Sequence, residues 1–214
     1  MRPAPERLAR RLRRYVADER VLAAIAGVPR DRFVPPEYRG QAWRNAPLPI
    51  GAGQTISQPL VVARMAEVLS LTPEDRVLDV GTGSGYHAAV LARLAGHVWS
   101  VERHAELSLR AAQSLAAAGI DNVTLVVGDG SAGLAEEAPF DAINVGAAAS
   151  EEAATALARQ LAVGGRLVIA VGDREQRLML IHRTERGHRR SWLEPVRFVP
   201  LIEDEPLPPG NAHH

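Results

Sequence analysis

Apolar positions change rhythm along this chain, and the changes divide it into three stretches. From residue 5 to 26, Leu8, Leu12, Tyr15, Val16, Leu22 and Ile25 recur at helical spacing before Gly27-Val28-Pro29 ends the pattern. Two helices are expected there. From Arg30 to Pro59 neither the helical nor the strand period holds, and the runs FVPPEY, APLPIGAG and ISQP are dense in proline and glycine. An irregular stretch of about thirty residues inside a compact fold is uncommon and usually carries function.

Beyond Pro59 the pattern becomes regular. LVVARMAEVLSL reads as a helix with Val62, Met65, Ala66 and Leu69 inward, closed by Thr72-Pro73. RVLDV, HVWSVE, VTLVVGD, FDAINVG and RLVIAVG then read as strands, and HAAVLARLA, AELSLRAAQSLAAAG and EEAATALARQLA as helices. This alternation predicts an α/β fold, a doubly wound, Rossmann-like sheet of about seven mostly parallel strands. RLMLIHRTE and EPVRFVPLI look like two further strands with no helix between them, so an antiparallel addition at one edge is expected. The chain is accordingly read as one domain over 1–214. An N-terminal helical extension and loop occupies 1–58, a ligand-binding core 59–202, and a mobile polar tail 203–214.

Composition narrows the function. The chain has 214 residues, of which 46% are hydrophobic, and its longest apolar runs have only strand length, so no membrane span is expected. MRPAPERLARRLRRYV lacks the apolar run of a signal peptide, and there is no cysteine, so a cytoplasmic protein without disulfides or zinc–thiolate sites is expected. Acidic and basic residues balance at 25 each, every basic one an arginine. No field suited to nucleic acid results. The cluster Arg7, Arg10, Arg11, Arg13 and Arg14 is read as a solvated helix face, and the seven histidines show no ligand spacing, so no metal is expected. His87 has two readings, ligand contact or packing at a helix start.

The strongest chemical signal is Gly81-Thr82-Gly83-Ser84-Gly85, which follows the strand RVLDV and opens a helix. Its spacing is G-x-G-x-G, not the G-x-G-x-x-G of dinucleotide sites, and the bulky Tyr86 stands where the last glycine of that fingerprint would pack. Glu102 closes the next strand, where a carboxylate can accept from both hydroxyls of a ribose. Asp129, followed by Gly130, comes after the third strand and suits an adenine amino group. With Asp79 on the first strand, these carboxylates would repel a pyrophosphate and suit a cationic nucleoside. S-adenosylmethionine is such a ligand.

In order along the chain, GQTISQP, VLDVGTGSGYHAAVLA, VERHAELSLRA, NVTLVVGDG, APFDAINVGAAA, QLAVGGRLVIAVG and RFVPL resemble the protein-L-isoaspartate O-methyltransferase family, from about Val28 to Leu201. The glycine loop is common to many methyltransferases, whereas PLPIGAGQTISQP is specific. The resemblance implies S-adenosylmethionine as methyl donor, S-adenosylhomocysteine as product, and as acceptor the α-carboxylate of an L-isoaspartyl residue in an aged protein or peptide. The ester then closes to a succinimide unaided. A monomer is expected. The resemblance also makes Ser57 of the TIS motif the active-site residue, within an acceptor loop of Gly53, Gln54, Thr55, Ile56 and Ser57. Asp79, Gly81, Thr82, Gly83, Ser84, Gly85, Glu102, Asp129 and Gly130 would hold the donor.

Leu60 after SQP, SEEAAT after the AAA run, and Asn45 in place of a frequent acidic residue depart from the family pattern. All three concern the acceptor side, which leaves open a member dedicated to methylating an aspartate of one peptide. Ser57 has a second reading as well, as the cap of the helix that begins near Leu60. Methyl transfer to a carboxylate needs no strong base, and the sequence offers no His/Asp or Ser/His pairing.

Overall fold

The computed structural model describes residues 3–202. Seven strands form one sheet in the order β5-β4-β3-β6-β7-β8-β9. These are β3 (Arg76–Val80), β4 (His97–Glu102), β5 (Val123–Val127), β6 (Phe140–Ala149), β7 (Leu161–Val171), β8 (Gln176–Thr184) and β9 (Gly187–Val196). The first five pair in parallel, and β8 and β9 add antiparallel at one edge. The chain starts at β3, winds out to β5, then returns to β6 on the other side of β3. Strand order therefore reverses between β3 and β6, the place where open α/β sheets bind ligands at their carboxyl edge.

Both faces of the sheet are covered, so its strands are apolar on both sides. Along β3, Val77 belongs to one core and Leu78 to the other. The first core packs against helices α3 (Pro59–Leu69), α4 (Tyr86–Ala92) and α5 (Ala105–Ala117). The second packs against α6 (Glu151–Ala158), through Ala154 and Leu157. The N-terminal extension supplies α1 (Ala4–Leu12) and α2 (Glu19–Gly27), which bury Leu8, Leu12, Leu22 and Ile25 in the first core. Helix α2 has a conventional start, with the Asp18 carboxylate accepting from the Arg20 amide.

Two expectations are corrected. Residues 30–59 are not without regular structure: they hold two short 3-10 turns, Arg30–Arg32 and Pro36–Gln41, and an antiparallel hairpin of β1 (Leu48–Gly51) and β2 (Gln54–Ile56). Strands of four and three residues are too short to show a period. The last strand is also displaced, since β9 runs through HRRSWLEP rather than over 194–202. As an edge strand it is exposed over most of its length, so no buried face wrote alternation into its sequence. The tail expected to be mobile, 203–214, lies outside the described residues. Among those described, no helix is long and apolar enough to cross a membrane.

Candidate active site

A cavity partly open to solvent lies at the carboxyl edge of the sheet across β3, β4, β5 and β6. Its wall includes Gly81 and Gly83 of the glycine loop, Glu102, Asp129, Gly130, and Gln54 and Thr55 of the β1–β2 hairpin. Residues from both ends of the sequence signal thus meet in one place. Not every expected residue is on the wall.

The glycine loop is tied from behind. The amides of Gly81 and Thr82 donate to the Val101 carbonyl at 2.9 and 3.2 Å, and the Thr82 hydroxyl lies 2.7 Å from that of Ser100. Gly85 begins α4 with φ +84°, and a Cβ there would stand 3.1 Å from that of Ala111 on α5. Only glycine combines that backbone with that approach. The Ser84 hydroxyl accepts from the Tyr86 amide at 3.3 Å, and Ser84 faces a neighbouring groove. Thr82, Ser84 and Gly85 therefore shape the loop from outside the cavity.

Glu102 is almost fully buried and grips both sides of the turn. One carboxylate oxygen accepts from the Gly83 amide at 2.8 Å, the other from the His104 amide at 2.9 Å. Each oxygen keeps a further lone pair for a hydroxyl. Asp129 accepts from the amide and hydroxyl of Ser131 at 2.9 and 2.8 Å, which fixes its carboxylate at the cavity wall. Gly130 must be small, because a Cβ there would come within 2.7 Å of Val80.

Asp79 occupies a different position from the one the strand pattern suggested. It is fully buried beneath the loop, off the cavity wall. Its carboxylate accepts from the Ser100 hydroxyl at 2.7 Å and from the Asn144 amide at 2.7 Å, and that amide also lies 3.2 Å from His87 Nδ1. Burial pushes the Asp79 carboxyl up to about 6 against the two donors, with the Glu102 charge adding to the rise. His87 is buried beside Asn144 at the helix start and off the cavity wall, as the packing reading expects, and burial pushes its imidazole down to about 3.

Ser57 follows β2, is half-buried, and stands outside the cavity wall two residues beyond Thr55. Its hydroxyl makes no hydrogen bond to a described residue, while its carbonyl accepts from Arg30 at 2.9 Å. The capping reading fails. Helix α3 has no capping bond from its own N-cap side chain, and its Leu60 amide is taken by Asn45 Oδ1 at 3.0 Å. Ile56 is buried, and Gly53 sits at the exposed hairpin tip.

Sequence reasoning missed the far wall. Val199, Pro200, Leu201 and Ile202 cross the mouth of the cavity, held by Ala148 N to Val199 O at 2.8 Å, Leu201 N to Ala148 O at 2.6 Å and Arg103 to the Ile202 carbonyl at 2.9 Å. Arg103, His104, Gly146 and Ala147 complete it. The only available signal was the RFVPL run, which was assigned to a strand. Among the described residues no three His, Cys, Asp or Glu side chains are placed to share a metal ion.

The family model for protein-L-isoaspartate(D-aspartate) O-methyltransferase (PCMT) matches residues 5–206. The chain belongs to that family. It is similar to a protein-L-isoaspartate O-methyltransferase of Koribacter versatilis, 48% identical over 92% of this chain and 89% of the other. It is also similar to one of Aeromonas hydrophila, 52% identical over 89% and 92%. A solved Plasmodium falciparum chain described as a beta-aspartate methyltransferase (PCMT), in complex with S-adenosyl-L-homocysteine, superposes with TM-score 0.81 at 28% identity, over 93% of this chain and 98% of that one. The sheet of this PCMT-family chain is the class I methyltransferase fold, and the residues around its cavity fit an adenosyl sulfonium donor. Glu102 presents acceptor lone pairs, Gly130 leaves room beside Val80, and Asp129 faces the same space.

The departure at Asn45 finds a physical account in this PCMT-family chain. An Asn oxygen takes the Leu60 amide as a carboxylate oxygen would, so the helix start is kept without the charge.

Proposed function

We propose that this chain transfers a methyl group from S-adenosylmethionine to the α-carboxylate of L-isoaspartyl residues in damaged proteins or peptides, with Ser57 orienting that carboxylate. The observation that carries the reading is the meeting of the β1–β2 hairpin and the glycine loop at one cavity, Gln54 and Thr55 beside Gly81, Gly83 and Glu102. The bound donor supplies an electrophilic methyl group on a sulfonium. With the donor bound, Glu102 would accept from ribose hydroxyls, Asp129 would accept from the adenine amino group, and the glycine loop would let the backbone approach the nucleoside. Thr82, Ser84 and Gly85 hold the loop, and Asp79 holds the strand ends beneath it.

On the acceptor side the nucleophile is already an anion at neutral pH, so no residue is needed to remove a proton. The Ser57 hydroxyl, uncommitted to any described residue, would donate to one carboxylate oxygen and leave the other free to take the methyl group, the carbon–sulfur bond breaking with its electron pair left on sulfur. Gly53, Gln54, Thr55 and Ile56 carry it at that height. Alignment of this kind is worth up to about 7–11 kcal/mol of a barrier. The strap of residues 199–202 and the hairpin keep water from the reacting atoms. The whole chain acts as one unit, a cytoplasmic monomer that needs neither metal nor nucleic acid. The alternative of a single dedicated peptide loses weight with Asn45 explained as a cap.

The test is transfer of labelled methyl from S-adenosylmethionine to an isoaspartyl peptide and to its aspartyl twin. Labelling of the first alone is expected. Labelling of neither, with the donor bound normally, overturns the reading.

A further inference from the structure

Arg30 is fully buried, and among the described residues no carboxylate stands within ion-pair distance of it. One guanidinium nitrogen donates to the Ala42 carbonyl, and the other to the carbonyls of Ala46 at 3.2 Å and Ser57 at 2.9 Å. The guanidinium carbon lies 5.5 Å from the centroid of the Tyr86 ring, and Nε has no partner. Tyr86 directly follows Gly85. One side chain therefore touches both the chain that carries Ser57 and the helix that the glycine loop opens.

Hydrogen bonding alone does not account for an arginine here. Two of the three carbonyls could be satisfied by a neutral amide, without the cost of burying a charge. Carbonyl dipoles and a ring face compensate the cation in part, and burial lowers it only to about 10, so it stays charged at neutral pH. A standing positive charge with no counter-ion is thus held behind the backbone of Ser57. An anion held by Ser57 would sit on the residue whose carbonyl that charge already grips.

We infer that Arg30 is a positioning residue for the acceptor, fixing the Ser57 backbone and supplying the buried positive charge that selects a carboxylate over a neutral group at that hydroxyl. The inference rests on the reading of Ser57 given above. It makes a chemical distinction that a purely structural arginine does not make. An isoaspartyl peptide should gain from the charge, and an isoasparaginyl peptide, which carries a carboxamide in the same place, should not.

The experiment measures affinity of the full-length protein, loaded with S-adenosylhomocysteine, for these two peptides. It uses wild type, Arg30→Gln, Arg30→Lys and Ser57→Ala, with affinity for S-adenosylhomocysteine, melting temperature and, in a separate assay with S-adenosylmethionine, turnover on the isoaspartyl peptide recorded for each. In Arg30→Gln the preference for carboxylate over carboxamide should fall by roughly tenfold, with nucleoside affinity unchanged. Arg30→Lys should keep the preference and lose turnover, because an ammonium retains charge but not the planar fork. Equal weakening of both peptides in Arg30→Gln would reduce Arg30 to scaffold and overturn the inference. Should that variant fail to fold, wild type decides. A preference set by a buried charge persists from about 0.05 to about 0.5 M salt, and one that vanishes belongs to surface arginines. Full turnover in Ser57→Ala sinks the reading of Ser57. Reduced turnover there, with preference intact in Arg30→Gln, sinks only the inference about Arg30.

Discussion

Asp79 and His87 share one amide, that of Asn144, and burial drives their proton affinities in opposite directions, which gives the fold a testable pH signature. For Asp79 the folded value near 6 lies above its unfolded 3.8, so its contribution to stability is fully present below pH 3.8 and is lost as pH rises through 6. For His87 the folded value near 3 lies below its unfolded 6.5, so its contribution is present above pH 6.5 and is lost as pH falls toward 3. Between pH 4 and 6 the folded chain therefore holds a proton on Asp79, while the unfolded chain holds one on histidine. The two slopes, each about 1.4 kcal/mol per pH unit, nearly cancel. Going from pH 7 to 5, His87 costs about 2 kcal/mol and Asp79 returns about 1 kcal/mol. His87→Gln should expose the Asp79 slope and gain about 1 kcal/mol over that interval, whereas Asp79→Asn should lose about 2 kcal/mol. Urea unfolding of the two variants at both pH values measures this, and any pH-independent damage drops out of the difference. A separation of about 3 kcal/mol is expected between the variants, and parallel pH profiles would refute the reasoning.

Other positions make independent demands. Ser57→Ala should lower kcat/KM for an isoaspartyl peptide by roughly 10- to 100-fold, the range of a hydrogen bond to a charged group, without changing donor affinity in a calorimetric titration. Glu102→Ala leaves the Gly83 and His104 amides without their acceptor and should weaken S-adenosylmethionine binding by at least about tenfold, read by the same titration. Asn45→Ala should cost about 1 kcal/mol of stability in urea, and Asn45→Asp should restore it, if the side chain acts as the cap of α3.

The sheet was legible because β3, β4, β6 and β7 are covered on both faces and write apolar runs of strand length, while α3 and α5 write a helical stripe. Strand β9 was misplaced because an exposed edge strand has no face to bury, and arginines stand where alternation would have been read. The glycine loop and Glu102 stand out in the sequence, since conformation and charge are properties of residue type, and Gly81, Gly83 and Glu102 come together on one cavity wall. The place of Asp79 was not legible. A carboxylate at a strand end looks the same from sequence whether it meets a ligand or, as here, a serine hydroxyl and an asparagine amide under the loop. The cavity wall at 199–202 was equally hidden, because it is made by one bridge to Ala148 and has no pattern of its own.

What the αβ repeat cannot supply, the two flanks of the chain do. Strand ends carry the carboxylates Glu102 and Asp129 to the cavity, but by themselves they leave the carboxyl edge of the sheet open. The β1–β2 hairpin closes one side and the strap after β9 closes the other, each tied to the core by a small number of bonds: Arg30 to Ser57, Arg103 to Ile202, and Ala148 to Val199 and Leu201. Few bonds suffice because both segments rest on buried apolar anchors, Ile50 and Ile56 on the hairpin side and partly buried Phe198 and Leu201 on the other. Such an arrangement leaves the hairpin and the strap tied to the core at points separate from the glycine loop and Glu102.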